Sequence, residues 1–209
     1  MQKIAPKNST IINVCIIPDY NARKKCIEFS QSLKSKNTTF LLDGTSKFAH
    51  MTVFMARFGD SEILKVLDAV KNVLLDKGSF FCEHVGYFMT SGRYLEVSYR
   101  KSEEFMYLHE ALIKRLKDFR INPGKPFEEG YFAPYTKEQK NNAKETGYDL
   151  ARNLYRPHVT LTRYKEGKVP EIFPGFVPAK LSFNLDKVCV YKADDNGAVF
   201  ELLKEFNIK

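Results

Sequence analysis

The chain has 209 residues with 33 Lys or Arg against 25 Asp or Glu, a formal charge of +8, and 44% hydrophobic residues. That length suits one well-packed domain and is short for two independent ones, and a composition without low-complexity tracts excludes a disordered or fibrous chain. The positive balance leans towards polyanionic partners such as nucleotides or RNA, without requiring them.

In chain order, Ile11 to Ile17 reads as a buried strand closed by Pro18-Asp19. It is too short to span a bilayer and lacks a signal-cleavage pattern, so a cytoplasmic, membrane-free protein is expected, as a monomer. Asn21 to Lys36 follows as a helix with Cys26, Ile27, Phe29 and Leu33 on one stripe. A strand from about Phe48 to Phe58 comes after the Asp43-Gly44 turn, then a helix over Ser61 to Asp76 with Asp60 as N-cap. Phe80 to Met89 and Arg93 to Tyr99 form a strand pair around Ser91-Gly92, and Ser102 to Phe119 a third helix. His158 to Tyr164 is a strand, followed by a loop with Pro170, Pro174, Gly175 and Pro178. Strands Leu181 to Lys192 and Ala198 to Phe206 turn at Asp194-Asp195-Asn196-Gly197. The expectation is one α+β domain over residues 1–209, built of two halves with a cleft between them.

Two segments share a frame. Phe48-Ala49-His50-Met51-Thr52-Val53-Phe54 and Arg156-Pro157-His158-Val159-Thr160-Leu161-Thr162 both read His-x-Thr-aliphatic within strand-like runs. Side chains alternate faces along a strand, so each His shares a face with its Thr while Met51, Val53, Val159 and Leu161 take the other. Facing one another, the two strands would offer two acid–base imidazoles and two hydroxyls to one phosphate.

These segments resemble the paired H-x-T/S-hydrophobic motifs of the 2H phosphoesterase superfamily, and within it the 2′-5′ RNA ligase-like (LigT-like) group of bacteria and archaea. Arg156 to Arg163 is similar to that group's second motif, including the Pro before His158 and the Arg after it. Phe54 to Asp60 is similar to the strand and Gly turn after the first. The resemblance implies a two-lobed, pseudo-symmetric α+β fold with a central cleft between two antiparallel sheets flanked by helices. It also implies catalysis by His50 and His158 with Thr52 and Thr160 on the phosphate. The chain departs from the group in the long segment before the second motif, so substrate choice does not carry over.

Cleaving a phosphodiester through a neighbouring ribose hydroxyl, or opening a 2′,3′-cyclic phosphate, takes one group to accept a proton and one to donate it. Imidazoles near pKa 6.5 do both near neutral pH. The threonines would stabilise charge growing on the non-bridging oxygens. Which His is acid and which base depends on substrate orientation. Cys15, Cys26, Cys82 and Cys189 are scattered, with no C-x-x-C and no clustering with His, so reduced thiols, no metal and no cofactor are expected. Arg57, Arg156 and Arg163 are candidates for further phosphate contact, although strict alternation turns Arg163 away from His158. His84 and His109 lack a Thr partner, and His109 reads as a solvated or partly packed helical residue.

Residues 121–155 make a long connection in which Tyr131, Phe132, Tyr135, Tyr148 and Tyr155 stand among Lys and Arg. It is either a lid whose rings stack bases or an excursion with a short helix near Lys137–Thr146 whose tyrosines pack inward. The leading expectation is a metal-independent phosphodiesterase acting on 2′-5′-linked or 2′,3′-cyclic phosphodiesters of RNA, oligonucleotides or cyclic nucleotides. RNA 2′-5′ ligation and a non-catalytic RNA- or nucleotide-binding module are the alternatives.

Overall fold

Ile12, Val14, Cys15 and Ile16 are wholly buried because their strand, β1 (Ser9–Ile16), has a neighbour on each side and is covered above and below. The computed structural model describes residues 8–75, 77–121, 135–165 and 181–208. Its first sheet runs β10 (Val199–Asn207), β9 (Lys187–Ala193), β1 and β3 (Met51–Gly59). The second runs β2 (Thr38–Leu41), β7 (His158–Tyr164), β6 (Tyr94–Tyr99) and β5 (His84–Met89). A two-stranded ribbon pairs β4 (Phe80–Cys82) with β8 (Phe183–Leu185), and every strand pairing is antiparallel.

Helix α1 (Tyr20–Ser32) lies behind the second sheet, where Phe29 meets Tyr87 edge-on at 5.2 Å. Helices α2 (Ile63–Leu74) and α3 (Glu103–Leu116) lie behind the first and pack on each other. Helix α4 (Lys137–Thr146) opens with a reciprocal capping box between Thr136 and Gln139. It ends at Gly147, where φ is 85° and an added Cβ would stand 2.7 Å from Ala56 Cβ, so only glycine fits. No described helix is long and apolar enough to cross a membrane. All four cysteines are buried and free.

The strands do not divide into consecutive halves. The C-terminal hairpin β9–β10 returns to the first sheet, because β1 is buried on both faces and the backbone N–H and C=O groups on its edge away from β3 need a second strand to pair with. Strand β2, four partly exposed residues with little pattern, crosses to β7 and was not anticipated. The expected long strands at Phe80–Met89 and Leu181–Lys192 each break, at Glu83 and Asp186, where the chain leaves the ribbon for a four-stranded sheet. Asp60 does not cap α2: it sits in a 3-10 turn over Asp60–Glu62 and accepts a hydrogen bond from Thr10 Oγ1 at 2.8 Å.

His109 also differs from expectation. It is fully buried on α3, with Nδ1–H donating to the Val53 carbonyl (2.6 Å) and Nε2 accepting from the Arg152 amide (2.9 Å). Its ring stacks on Tyr155 at 4.0 Å, and burial pushes its pKa down to about 4. Of the tyrosines in the long connection, Tyr148 and Tyr155 pack inward around this imidazole.

Candidate active site

The two His-x-Thr strands carry the same irregularity at the same place. In the β1–β3 ladder Cys15 faces Thr52 and Val14 faces Phe54, so Val53 is an extra residue. In the β6–β7 ladder Glu96 faces Thr160 and Leu95 faces Thr162, so Leu161 is extra. A bulge resets the alternation beyond it. Arg163 therefore returns to the face of His158 and Thr160, where its cross-strand partner is Tyr94. Strict alternation placed it on the opposite face, which the bulge corrects. Its guanidinium lies over the Tyr94 ring, 4.7 Å from the centroid.

Both imidazoles are held alike. His50 Nδ1 meets the carbonyl of Phe48 at 3.0 Å, and His158 Nδ1 meets the carbonyl of Arg156 at 2.8 Å, each two residues back. A carbonyl only accepts, so Nδ1 carries the hydrogen and the neutral ring has its lone pair on Nε2. His50 stands just ahead of β3 and His158 opens β7, strands of the two sheets that contact one another, and the two rings interact electrostatically. His50, partly accessible yet densely surrounded, has its pKa pushed down by burial and further by His158, against the Phe48 hydrogen bond.

Two polar residues that the motif reading missed complete the face. Asn13 is fully buried on β1, and its Nδ2 donates to Thr52 Oγ1 (2.9 Å) and to the Gly197 carbonyl (3.3 Å). It ties Thr52 to the β9–β10 turn. Glu96 on β6 is 4% exposed, holds Arg156 in a forked ion pair, and brings Oε1 to 3.6 Å from His158 Nε2. Each was visible as a lone polar residue in an otherwise buried strand, a signal that points to a partner across the sheet.

The arginines part company. Arg57 is 8% exposed and donates to Asp195 Oδ1 at 2.7 Å, pinning the β9–β10 turn, so it is committed to structure and not to phosphate. Arg156 is engaged by Glu96 and by the Phe88 ring at 4.8 Å. Tyr135 stands half-buried just ahead of α4. Tyr131 and Phe132 lie outside the described residues. Among those described, no group of three His, Cys, Asp or Glu side chains could hold a metal ion.

No family model and no curated protein sequence matches this chain. Solved structures do. A crystal structure of a phosphoesterase superposes with a TM-score of 0.65 at 13% identity, covering 96% of this chain and 98% of that one. E. coli LigT complexed with NADP+ gives 0.64 at 12% identity, with coverage of 96% and 98%. TT0787 of Thermus thermophilus gives 0.63 at 16%, with 95% and 97%. At such identities the likeness establishes the fold, which is the one the two His-x-Thr frames led us to expect.

Proposed function

We propose that this chain, which has the LigT-like 2H phosphoesterase fold, is a metal-independent phosphodiesterase using His50 and His158 as its acid–base pair on 2′-5′-linked or 2′,3′-cyclic phosphodiesters of RNA or nucleotides. The observation that carries the reading is the matched tethering of the two rings, each giving Nδ1–H to the carbonyl two residues back. A pure binding module has no need of two imidazoles in that tautomer.

His50, held neutral by its burial, takes the proton from the attacking hydroxyl or water. His158, whose Nε2 lies 3.6 Å from the Glu96 carboxylate, gives a proton to the leaving oxygen. Thr52 and Thr160 donate to the non-bridging oxygens. Asn13 occupies a lone pair of the Thr52 hydroxyl and so leaves its hydrogen for the phosphate. The formal charge of +8 and the crystallisation of LigT with NADP+ support a nucleotide substrate.

The test is to incubate the protein, in excess chelator, with a 2′-5′ oligoadenylate, a cyclic oligonucleotide and a 2′,3′-cyclic nucleotide. Cleavage of at least one is expected. Loss of all cleavage in chelator with recovery on adding a divalent ion, or no cleavage under either condition, would overturn the proposal.

A further inference from the structure

Arg57 is a buried charge on the cleft face with no part in proton transfer. Beyond the bulge at Val53, Met55 and Arg57 come round to the face of His50 and Thr52, and Arg57 stands opposite Ile11 of β1. Its guanidinium donates to Asp195 Oδ1 at 2.7 Å and to Ser9 Oγ at 3.4 Å. Arg57 is 8% exposed whereas the Asp195 side chain is 54% exposed, so the pair ties an exposed turn to a fixed point on the sheet. A buried guanidinium stripped of its carboxylate is strongly destabilised, which keeps Asp195 in place.

The turn between β9 and β10 moves as one piece. The Asp194 amide donates to the Ala198 carbonyl and the Gly197 amide to the Asp194 carbonyl, each at 2.9 Å. The Asp194 carboxylate accepts from the amides of Asn196 (2.8 Å) and Ala198 (2.9 Å). A shift of Asp195 is therefore passed to Gly197, two positions on. The Gly197 carbonyl accepts from Asn13 Nδ2, which also holds Thr52 Oγ1. The same carbonyl faces the His50 ring as an acceptor and favours its protonated form, as does the Asp194 carboxylate. From β7, His158 opposes them. Asp194 also faces Tyr94 of β6, over which the Arg163 guanidinium lies.

We propose that Arg57 is a positioning residue: through its ion pair with Asp195 it seats the β9–β10 turn, and the seated turn orients Thr52 by way of Asn13 and holds the Gly197 carbonyl against His50. The inference rests on the phosphodiesterase reading and adds that a side chain engaged elsewhere governs both functional groups of the first His-x-Thr frame.

The test is an NMR titration of the His50 ring, identified by the signal missing from His50→Gln, in the wild type, Asp195→Asn, Arg57→Gln and Arg57→Lys. Charge alone would move the first two variants in opposite directions, since losing a carboxylate weakens proton binding at His50 and losing a guanidinium strengthens it. Loss of the seat moves both the same way. Asp195→Asn and Arg57→Gln should each weaken proton binding at His50 by about three- to tenfold, the worth of one lost hydrogen bond. Arg57→Lys keeps the charge with a poorer fit to Asp195, so it should show a smaller weakening where a pure charge effect would show none. Asp195→Asn and Arg57→Lys thus decide the matter even if Arg57→Gln does not fold. On a cleaved phosphodiester, kcat should fall by about three- to tenfold in Asp195→Asn, and the acid limb of kcat/KM should move to lower pH. Opposite shifts, an unmoved His50 in both Asp195→Asn and Arg57→Lys, or a raised KM with unchanged kcat overturns the positioning role and leaves the acid–base pair standing. Weakened proton binding in Asp195→Asn and Arg57→Lys, with no phosphodiester cleaved by the wild type, upholds the seat and overturns the enzyme reading alone.

Discussion

The carbonyls of Val53 and Leu161 hold the same position in two copies of one strand, and a buried side chain from the helix behind reaches each: His109 Nδ1 at 2.6 Å and Ser30 Oγ at 2.6 Å. Both residues are the extra member of a bulge, so both stand outside the regular ladder. A buried carbonyl left unpaired costs stability, and each helix supplies the missing donor. The bulges bring Met55 and Arg163 back to the cleft face, beyond the threonines of the two frames. The His-x-Thr-aliphatic pattern thus encodes a local backbone irregularity as well as a set of functional groups.

The acid–base reading predicts a non-additive pair. His50→Ala and His158→Ala should each lower turnover by at least about a hundredfold. Since both act in one transition state, the double variant should lose less than the product of the two single losses. Steady-state kinetics on variants checked for an unchanged circular dichroism spectrum decide it. A folded His158→Ala protein with full activity on each of the three substrates would remove the mechanism.

The pH profile should be displaced in a stated direction. His50 accepts a proton only when neutral, and burial pushes its pKa below the ordinary value of about 6.5. The neutral form therefore persists to lower pH, and activity is lost only as the pH falls through the depressed value. The acid limb of kcat/KM for the free enzyme should lie below about 6.5. A limb at 7 or above would mean that another group is the base.

Much of this site was legible in the amino-acid order alone, and the boundary of what was legible is physical. His50, Thr52, His158 and Thr160 were readable because a repeated short frame survives any fold. Strand parity beyond the threonines was not, because a bulge inserts one residue without a composition signature of its own, and Arg163 changed faces as a result. The two interleaved sheets were also hidden, since pairing of β1 with β9 joins residues about 175 positions apart and no local pattern records it. Asn13 and Glu96 left a faint trace, one polar side chain each in a buried run, that only the cross-strand partner explains.

Asn13 yields a prediction in which activity and stability move apart. Its Nδ2 serves Thr52 and Gly197, but its buried Oδ1 has no hydrogen-bond partner among the described residues. Asn13→Leu removes that unpaired acceptor and the donor that orients Thr52. Turnover should fall by about tenfold, the value of one hydrogen bond to a charged group at the lower end, while stability stays within about 1 kcal/mol of wild type. Thr52→Ala should cost at least as much turnover, and the Asn13→Leu, Thr52→Ala double variant little more than Thr52→Ala alone. Additive losses would show that Asn13 acts elsewhere.

The last prediction concerns His109, which touches no substrate in the mechanism above. Folded, its pKa lies at about 4; unfolded, it returns to about 6.5. Between those values the unfolded chain holds the extra proton, so stability rises with pH across the window. The contribution is fully present above about 6.5 and is lost as the pH falls towards 4, amounting to at most about 3.4 kcal/mol. Urea denaturation at pH 7 and pH 5 should show the loss in the wild type and a smaller one in His109→Gln. That variant should also be weaker at pH 7, by about 1–3 kcal/mol, because Gln carries its donor and acceptor on one carbon and leaves one of the Val53 carbonyl and the Arg152 amide unpaired. Ser30→Ala should show the same kind of loss without the pH slope, because Ser30 serves the Leu161 carbonyl and the Leu42 amide with a group that does not titrate. If His109→Gln keeps the full pH slope, another buried group carries it, and the link between this imidazole and the first bulge is structural coincidence.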